Sequence, residues 1–230
     1  MGWLGAEEWQ AVALSLRVSL WATLASLPLG VLTAYALARW SFPGKQVLNG
    51  LVHLPLVLPP VVTGYLLLLA FGPQGPAGRL LQEVGLVLAF RWTGAALAAA
   101  VMAFPLMVRA IRLSIEAVDA RLEQAGATLG AAPPLVFVTV TLPLILPGVL
   151  AGSVLAFAKA MGEFGATITF VSNIPGETRT IPSAIYAFLQ VPGGEDAAVR
   201  LVLVSVAVAM GAVALSEWLA RRVAARVAGE

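Results

Sequence analysis

The sequence predicts an all-α protein that crosses a membrane several times as one domain. Hydrophobic residues make up 60% of its 230 residues, charged residues make up 11%, and the mean hydropathy is +0.91. Soluble domains are about 45–50% apolar and about 25% charged, so this composition excludes a water-soluble fold. A spanning helix needs about 20 residues, which leaves room for about half a dozen crossings within residues 1–230 and no second domain.

Five apolar segments predict the transmembrane helices. Each contains few charged residues, and the arginines near their ends are long enough to reach the membrane interface. The predicted spans are residues 11–38, 48–71, 92–113, 144–171 and 198–220. Two polar segments separate the later spans, a cytoplasmic loop at about 114–143 and an external loop at about 172–197, where residues 182–189 predict a short amphipathic helix.

The distribution of basic residues predicts the orientation. Five crossings place the two termini on opposite sides, and cytoplasmic loops carry the excess of Lys and Arg. One side carries the larger set of basic residues: Arg39, Lys45, Arg109, Arg112, Arg121, Arg221, Arg222 and Arg226. We therefore expect the N-terminus outside and the C-terminus in the cytoplasm.

The second predicted span contains consecutive prolines, Pro59 and Pro60, followed by Thr63. Two prolines remove backbone donors and interrupt a helix, which hydrocarbon tolerates only where the freed groups face protein or a water-filled path. The pattern indicates either a translocation pathway or a proline kink in a packed helix.

The fourth predicted span contains two ionisable residues, Lys159 and Glu163, spaced four apart as in a helical ion pair. Ionisable groups at membrane depth indicate function by default, either as a pair that locks the helix or as a substrate contact. Thr167 and Thr169 follow, with small residues that favour close helix packing. They indicate either a dimer seam that lines the pathway or small-residue packing alone.

Several other functions are excluded by what the sequence lacks. The net charge is only +2 and no basic run is dense enough for nucleic acid. The chain has no cysteine and a single histidine, His53, so no metal site and no catalytic residues are predicted. It also has no phosphate-binding loop of the G-x-x-x-x-G-K-[ST] type for nucleotide hydrolysis.

The cytoplasmic loop begins with a charged, helix-prone stretch that Gly130 and Pro133-Pro134 terminate. This pattern predicts either a short helix that docks onto a partner or an ordinary polar loop. From Gly130 onward the loop is similar to importer permeases of the ATP-binding-cassette class: nine residues separate Gly130 from Val140-Thr141-Leu142-Pro143. The start of the motif departs from that family, because Gln124 stands where the family has Glu, Glu123 precedes it, and Gly126 replaces an Ala.

The resemblance implies a coupling helix at roughly residues 120–135 that sits in a cleft of an ATPase subunit. Its contact residues would be Glu123, Gln124, Ala125, Gly130, Leu142 and Pro143. Residues 53–68, 104–113 and 162–186 further resemble molybdate importer permeases, to which tungstate and sulfate permeases are related.

By this resemblance the chain is a permease subunit, not an enzyme, of a bacterial inner-membrane importer for molybdate or tungstate that works by alternating access. The alternatives are a sulfate or thiosulfate permease of the same class and a secondary anion transporter.

The expected partners are two ATPase subunits, a second copy of the chain, the lipid bilayer and an extracytoplasmic oxyanion-binding protein that docks near Glu177 and Arg179. ATP and magnesium would be bound by the ATPase, so this chain would carry no cofactor. The predicted pathway residues are Pro59, Pro60, Thr63, Lys159, Glu163, Thr167 and Thr169.

Overall fold

A computed structural model describes residues 3–228, and for residues 220, 221 and 223–228 it describes the backbone alone. This part of the chain is built from helices and contains no strand. A π-helical stretch, Phe137–Thr141, joins α7 to α8. The α-helices are α1 (Ala6–Arg39), α2 (Lys45–Val57), α3 (Pro60–Phe71), α4 (Pro76–Glu83), α5 (Trp92–Ala117), α6 (Ala120–Thr128), α7 (Pro133–Val136), α8 (Leu142–Met161), α9 (Gly165–Val171), α10 (Ile181–Leu189) and α11 (Glu195–Ala228).

Within residues 3–228, four stretches of helix are long and apolar enough to span a membrane: Ala6–Arg39, Trp92–Ala117, Pro133–Met161 and Glu195–Leu219. The pair α2 and α3 supplies a fifth span if the two helices are counted together. The prediction of an all-α membrane protein with about five spans is confirmed.

The second span is bent rather than straight, because α2 and α3 meet at an angle of 116°. Leu58, which precedes a proline, has the extended conformation that prolines favour in the preceding residue. Pro60 then starts α3 at a first-turn position, where its missing N–H is not needed. The two prolines therefore end one helix and begin the next.

The prediction of a continuous fourth span over residues 144–171 is wrong. α8 ends at Met161, residues 162–164 are not helical, and α9 starts at Gly165. Gly162 follows the last residue of α8, and its N–H still donates to the carbonyl of Ala158 at 3.3 Å. Glycine disfavours continuation of a helix because it loses the most backbone freedom there.

α5 lies at the centre of the fold and packs against both α1 and α8. Small residues line its buried face, which lets neighbouring backbones approach closely. The larger side chains of this core include Met107, Ile111, Ile145 and Phe170, all fully buried. The core therefore holds the spans together while many apolar side chains on their outer faces stay exposed, as expected for contact with lipid.

The two polar loops contain short helices, which is one of the two alternatives that the sequence leaves open for the first loop and the helix that it predicts for the second. α6 occupies the middle of the loop assigned to residues 114–143, whose first residues extend α5 and whose last residues begin α8. α10 corresponds to the amphipathic helix predicted in the loop at residues 172–197.

Candidate functional site

The two interrupted spans meet at a contact between α3 and α9. A Cβ atom at Gly64 would lie 2.5 Å from the carbonyl oxygen of Ala166, and one at Gly165 would lie 2.7 Å from the Cβ of Pro60. Real Cβ atoms do not come this close to such atoms, so the contact requires glycine at both positions. The structure thus brings together two predicted pathway segments, the one with Pro59 and Pro60 and the one that follows Glu163.

Hydroxyl groups at this contact differ in how their donors are used. Thr167 Oγ1 donates to the carbonyl of Phe164 at 2.9 Å, and Thr169 Oγ1 donates to that of Gly165 at 2.8 Å. Thr63 is 5% exposed, and its Oγ1 has no hydrogen-bond partner in the part of the chain that is described. Binding an oxyanion requires hydrogen-bond donors. Of the three predicted pathway threonines, Thr63 is the one whose hydroxyl donates to no acceptor among the described residues.

Lys159 and Glu163 form an ion pair across the break between α8 and α9. The distance from Lys159 Nζ to Glu163 Oε2 is 2.9 Å, and Glu163 Oε1 accepts a hydrogen bond from the N–H of Ala166 at 3.0 Å. The pair exists as predicted, but Glu163 lies in the non-helical linker and not within a helix. Its carboxylate satisfies a backbone donor at the start of α9 and neutralises Lys159.

The α6 segment, defined here as residues 118–141, is held by local contacts at both ends. Asp119 caps α6 by accepting the N–H of Arg121 at 2.9 Å. Gly130 follows the helix with a φ of +85°, in the left-handed region that favours glycine. All nine residues of α6 are described and none is buried, so the helix projects from the spans.

Glu123 connects this segment to the first span. Its Oε2 lies 3.0 Å from Arg39 Nε, and its Oε1 accepts the hydroxyl of Thr141 at 2.9 Å. The Arg39 Nε–H does not point at the carboxylate, so the contact is an ion pair without an aligned hydrogen bond. Arg39 Nη2 donates to the carbonyl of Val118 at 2.8 Å.

The neighbouring residues singled out by sequence lie differently. Gln124 and Ala125 are exposed on the outer side of α6, whereas Leu142 and Pro143 form the first turn of α8. Sequence reasoning missed Arg39 and Thr141 as partners of Glu123. In the sequence Arg39 contributes only to the excess of basic residues on one side of the membrane, and no local pattern links it to α6.

Ion pairs also fasten the start of α1 to later elements. The sequence predicts that Arg179 contacts a binding protein. In the structure, its Nη1 lies 3.2 Å from Glu7 Oε2, and its Nε donates to Asn173 Oδ1. Glu177 is half-buried in the same loop. A second pair, which sequence reasoning missed, joins Glu8 to Arg200 at 2.8 Å. Arg179 therefore ties the loop to α1.

Comparison with known proteins identifies the group to which this architecture belongs. Residues 26–229 match the family model described as binding-protein-dependent transport system inner membrane component. The chain is 63% identical over 215 residues to the molybdenum transport system permease protein ModB of Escherichia coli strain K12, covering 93% of this chain and 94% of that protein. It is 57% identical over 216 residues to the ModB of Haemophilus influenzae, covering 94% of each.

Solved structures share the fold at low sequence identity. A bacterial alginate ABC transporter in complex with its periplasmic protein matches with a TM-score of 0.75 at 17% identity, over 95% of this chain and 80% of that chain. The MetNI methionine ABC transporter in inward-facing conformations matches with a TM-score of 0.68 at 14% identity, over 94% of each chain. With its helical spans, its projecting α6 segment and a family match over most of its length, the chain belongs to the binding-protein-dependent inner membrane components of ABC importers.

Proposed function

We propose that this chain is the permease subunit of an ATP-driven importer that carries molybdate, or the similar anion tungstate, into the cytoplasm by alternating access. The observation that carries the proposal is the 63% identity to a molybdenum transport permease along 93% of the chain. Members of the family are multi-pass inner-membrane transport subunits that work with an ATPase and a binding protein. This chain is therefore a transport subunit and not an enzyme.

The α3–α9 contact supports a pathway at the interrupted spans. Both spans are interrupted within their apolar stretches, and the backbone groups freed there need protein or water to satisfy them. Thr63 offers an unused buried donor, while Glu163 neutralises Lys159. Such a lining holds an oxyanion weakly, which suits a passage whose substrate is selected beforehand by a separate binding protein.

The α6 segment supports docking of the ATPase. α6 projects from the spans with none of its residues buried, and Leu122 and Leu129 expose apolar surface there. A partner shifts a conformational equilibrium only by contacting its two states unequally. An ATPase that contacts α6 differently with and without ATP would supply that difference. ATP and its magnesium would be bound by the ATPase, so this chain would hold no cofactor.

The assembly we propose contains two copies of this chain, two ATPase subunits and one extracytoplasmic oxyanion-binding protein. Five spans from one chain are too few to enclose a conduit comfortably, so a second copy completes it. We place the N-terminus outside and the C-terminus in the cytoplasm, following the excess of basic residues. In this orientation α6 faces the ATPase and the loop with Glu177 and Arg179 faces the binding protein.

Sulfate is the second candidate substrate. The chain is 35% identical over 176 residues to a probable sulfate transport system permease protein of Chlorokybus atmophyticus, covering 76% of this chain and 62% of that protein. The lower identity and coverage favour molybdate. All three anions are tetrahedral and carry the same charge, so transport measurements are needed to rank them.

The test is reconstitution of the chain in liposomes with its ATPase and binding protein, with molybdate, tungstate and sulfate supplied in turn. We expect molybdate or tungstate uptake that requires ATP and all three components. Omitting the binding protein or the ATPase is the matched control. Uptake by this chain alone, driven by an ion gradient, would contradict the proposal and indicate a secondary transporter, whereas sulfate ranked first would favour the second candidate.

A further inference from the structure

Arg39, at the last turn of α1, is the point where the first span is fastened to α6. Its guanidinium lies against Glu123 of α6 and donates to the carbonyl of Val118, the residue that follows α5. Glu123 in turn accepts the hydroxyl of Thr141, immediately before α8. One arginine and one carboxylate thus join four elements at the base of the projecting helix.

Both charged side chains are shielded from water. The Arg39 side chain is 19% exposed, that of Glu123 is 15% exposed, and Thr141 is fully buried. Shielded charges interact more strongly than exposed ones because less water screens them. With one carboxylate oxygen facing Arg39 and the other accepting from Thr141, Glu123 points into this chain and away from a partner that docks on the outer side of α6.

Apart from these contacts, α6 is held by the turns at its two ends and by packing against residues 133–141. α6 is joined to its neighbours at Val118, which is extended, and at Gly130, whose φ is +85°. Neither joint is helical, so the angle between α6 and the spans is not fixed by a continuous helix on either side. Besides the polar contacts of Glu123, Gly126 packs against Val136.

We propose that Arg39 is the positioning residue that holds α6 at a fixed angle to the spans, so that movement of the docked partner is transmitted and not absorbed at the two joints. The proposal rests on the proposed function of α6 as the docking helix for the ATPase. It gives Glu123 an inward, structural role and leaves the exposed Gln124 as the residue that faces the partner.

The first test measures anion uptake per ATP hydrolysed in the reconstituted three-component complex. For Arg39→Ala we expect ATP hydrolysis to continue while uptake per ATP falls about tenfold, a value within the usual range of coupling between sites. Arg39→Lys keeps the charge but lacks the fork that reaches two acceptors, so its ratio should be intermediate. The matched control is Arg109→Ala, which removes an exposed arginine of α5 and should leave the ratio unchanged.

The second test does not depend on transport. Because the sequence has no cysteine, spin labels can be placed at Ser41→Cys and Ala127→Cys, two exposed positions at the end of α1 and on α6. We expect a narrow distance distribution in the otherwise unchanged protein and a broad one when Arg39→Ala is added. A merely stabilising role would lower the melting temperature without broadening this distribution in the folded protein.

The outcomes separate this proposal from the proposed function. An Arg39→Ala protein with the original uptake ratio and a narrow distance distribution would overturn the role of Arg39. If Arg39→Ala fails to assemble, the uptake ratio and the distance distribution are measured for Arg39→Lys and Glu123→Gln. Values equal to those of the unaltered protein in both variants would equally overturn the role of Arg39. Failure of the unaltered complex to take up any of the anions would instead count against the proposed function. The distance measurement would still show whether Arg39 holds α6 at a fixed angle.

Discussion

Loss of the Lys159 ammonium group should destabilise the chain more than loss of the Glu163 charge. The carboxylate is 2% exposed, whereas the lysine side chain is 32% exposed. Removing one partner of a fully buried ion pair costs about 3–5 kcal/mol, because the remaining charge is left without compensation. Water reaches the lysine end of this pair and the N–H of Ala166 still donates to Glu163, so we expect about 2 kcal/mol for Lys159→Met.

The reverse substitution leaves a better-solvated group. Glu163→Gln keeps a side-chain oxygen that can accept from Ala166, and the remaining ammonium is within reach of water. We therefore expect a cost of about 1 kcal/mol or less. The double variant removes both charges, and it should be more stable than Lys159→Met alone because no uncompensated buried charge remains.

Thermal unfolding of the purified protein in detergent measures these differences. For a chain of this size about 1 kcal/mol corresponds to a shift of about 2–4 °C, so Lys159→Met should lower the melting temperature by about 4–8 °C. Lys45, the other lysine of the chain, provides a matched control, because it is half-buried like Lys159 but forms no ion pair among the described residues and donates to the carbonyl of Trp40 in an exposed hydrogen bond. Lys45→Met should change stability by less than about 0.5 kcal/mol.

Two results would refute this reasoning. If Lys159→Met were as mild as Lys45→Met, the carboxylate of Glu163 would not depend on Lys159. If the double variant lost as much stability as the two single variants added together, the side chains would not interact, since contacting residues give non-additive effects in a double-mutant cycle.

Three further predictions concern the contact between α3 and α9, the topology and the end of α6. Gly64→Ala should reduce anion uptake and lower stability by about 1–3 kcal/mol, because the added Cβ would collide with α9. Gly50→Ala is the control for both measurements, since a Cβ at Gly50 has no described atom within 4 Å. A cysteine at Ser172 should react with an impermeant thiol reagent from outside intact cells and one at Ala127 only after permeabilisation, and the opposite pattern would reverse the proposed orientation. Gly130→Ala should lower the melting temperature modestly through its positive φ, at about 1 kcal/mol, and reduce uptake more than it reduces ATP hydrolysis; equal losses of both would argue against a coupling role.

The features that sequence predicted correctly depend on short stretches of chain. Apolar runs of spanning length place the helices, and Pro59 with Pro60 interrupts the second span because prolines lack an N–H wherever they occur. Gly130 and the prolines that follow it end α6 in the same local way. The spacing of Lys159 and Glu163 predicts their ion pair because the two residues are close in sequence, although it does not indicate that the helix ends at Met161.

Contacts between distant segments could not be predicted in this way. No periodicity links Arg39 to Glu123 or Glu8 to Arg200, and the side-chain hydroxyl of Thr141 acquires its partner only when α6 folds back toward α8. The motif comparison left open whether Glu123 or Gln124 takes the place of the family's acid. The structure shows Glu123 turned inward, toward Arg39 at the end of α1, and Gln124 exposed.

The sequence by itself determined the class of protein, the approximate number of spans and the break at Pro59 and Pro60, whereas the break after Met161 was decided by the tertiary structure. These follow from the transfer of apolar residues into hydrocarbon and from the missing donors of proline, and both effects act within a segment wherever it lies. Only the tertiary structure decided which charges pair, which threonine keeps a free donor and which face of α6 is exposed. Those outcomes depend on how closely whole helices approach, as at Gly64 and Ala166, and that distance is fixed by packing between segments far apart in the chain.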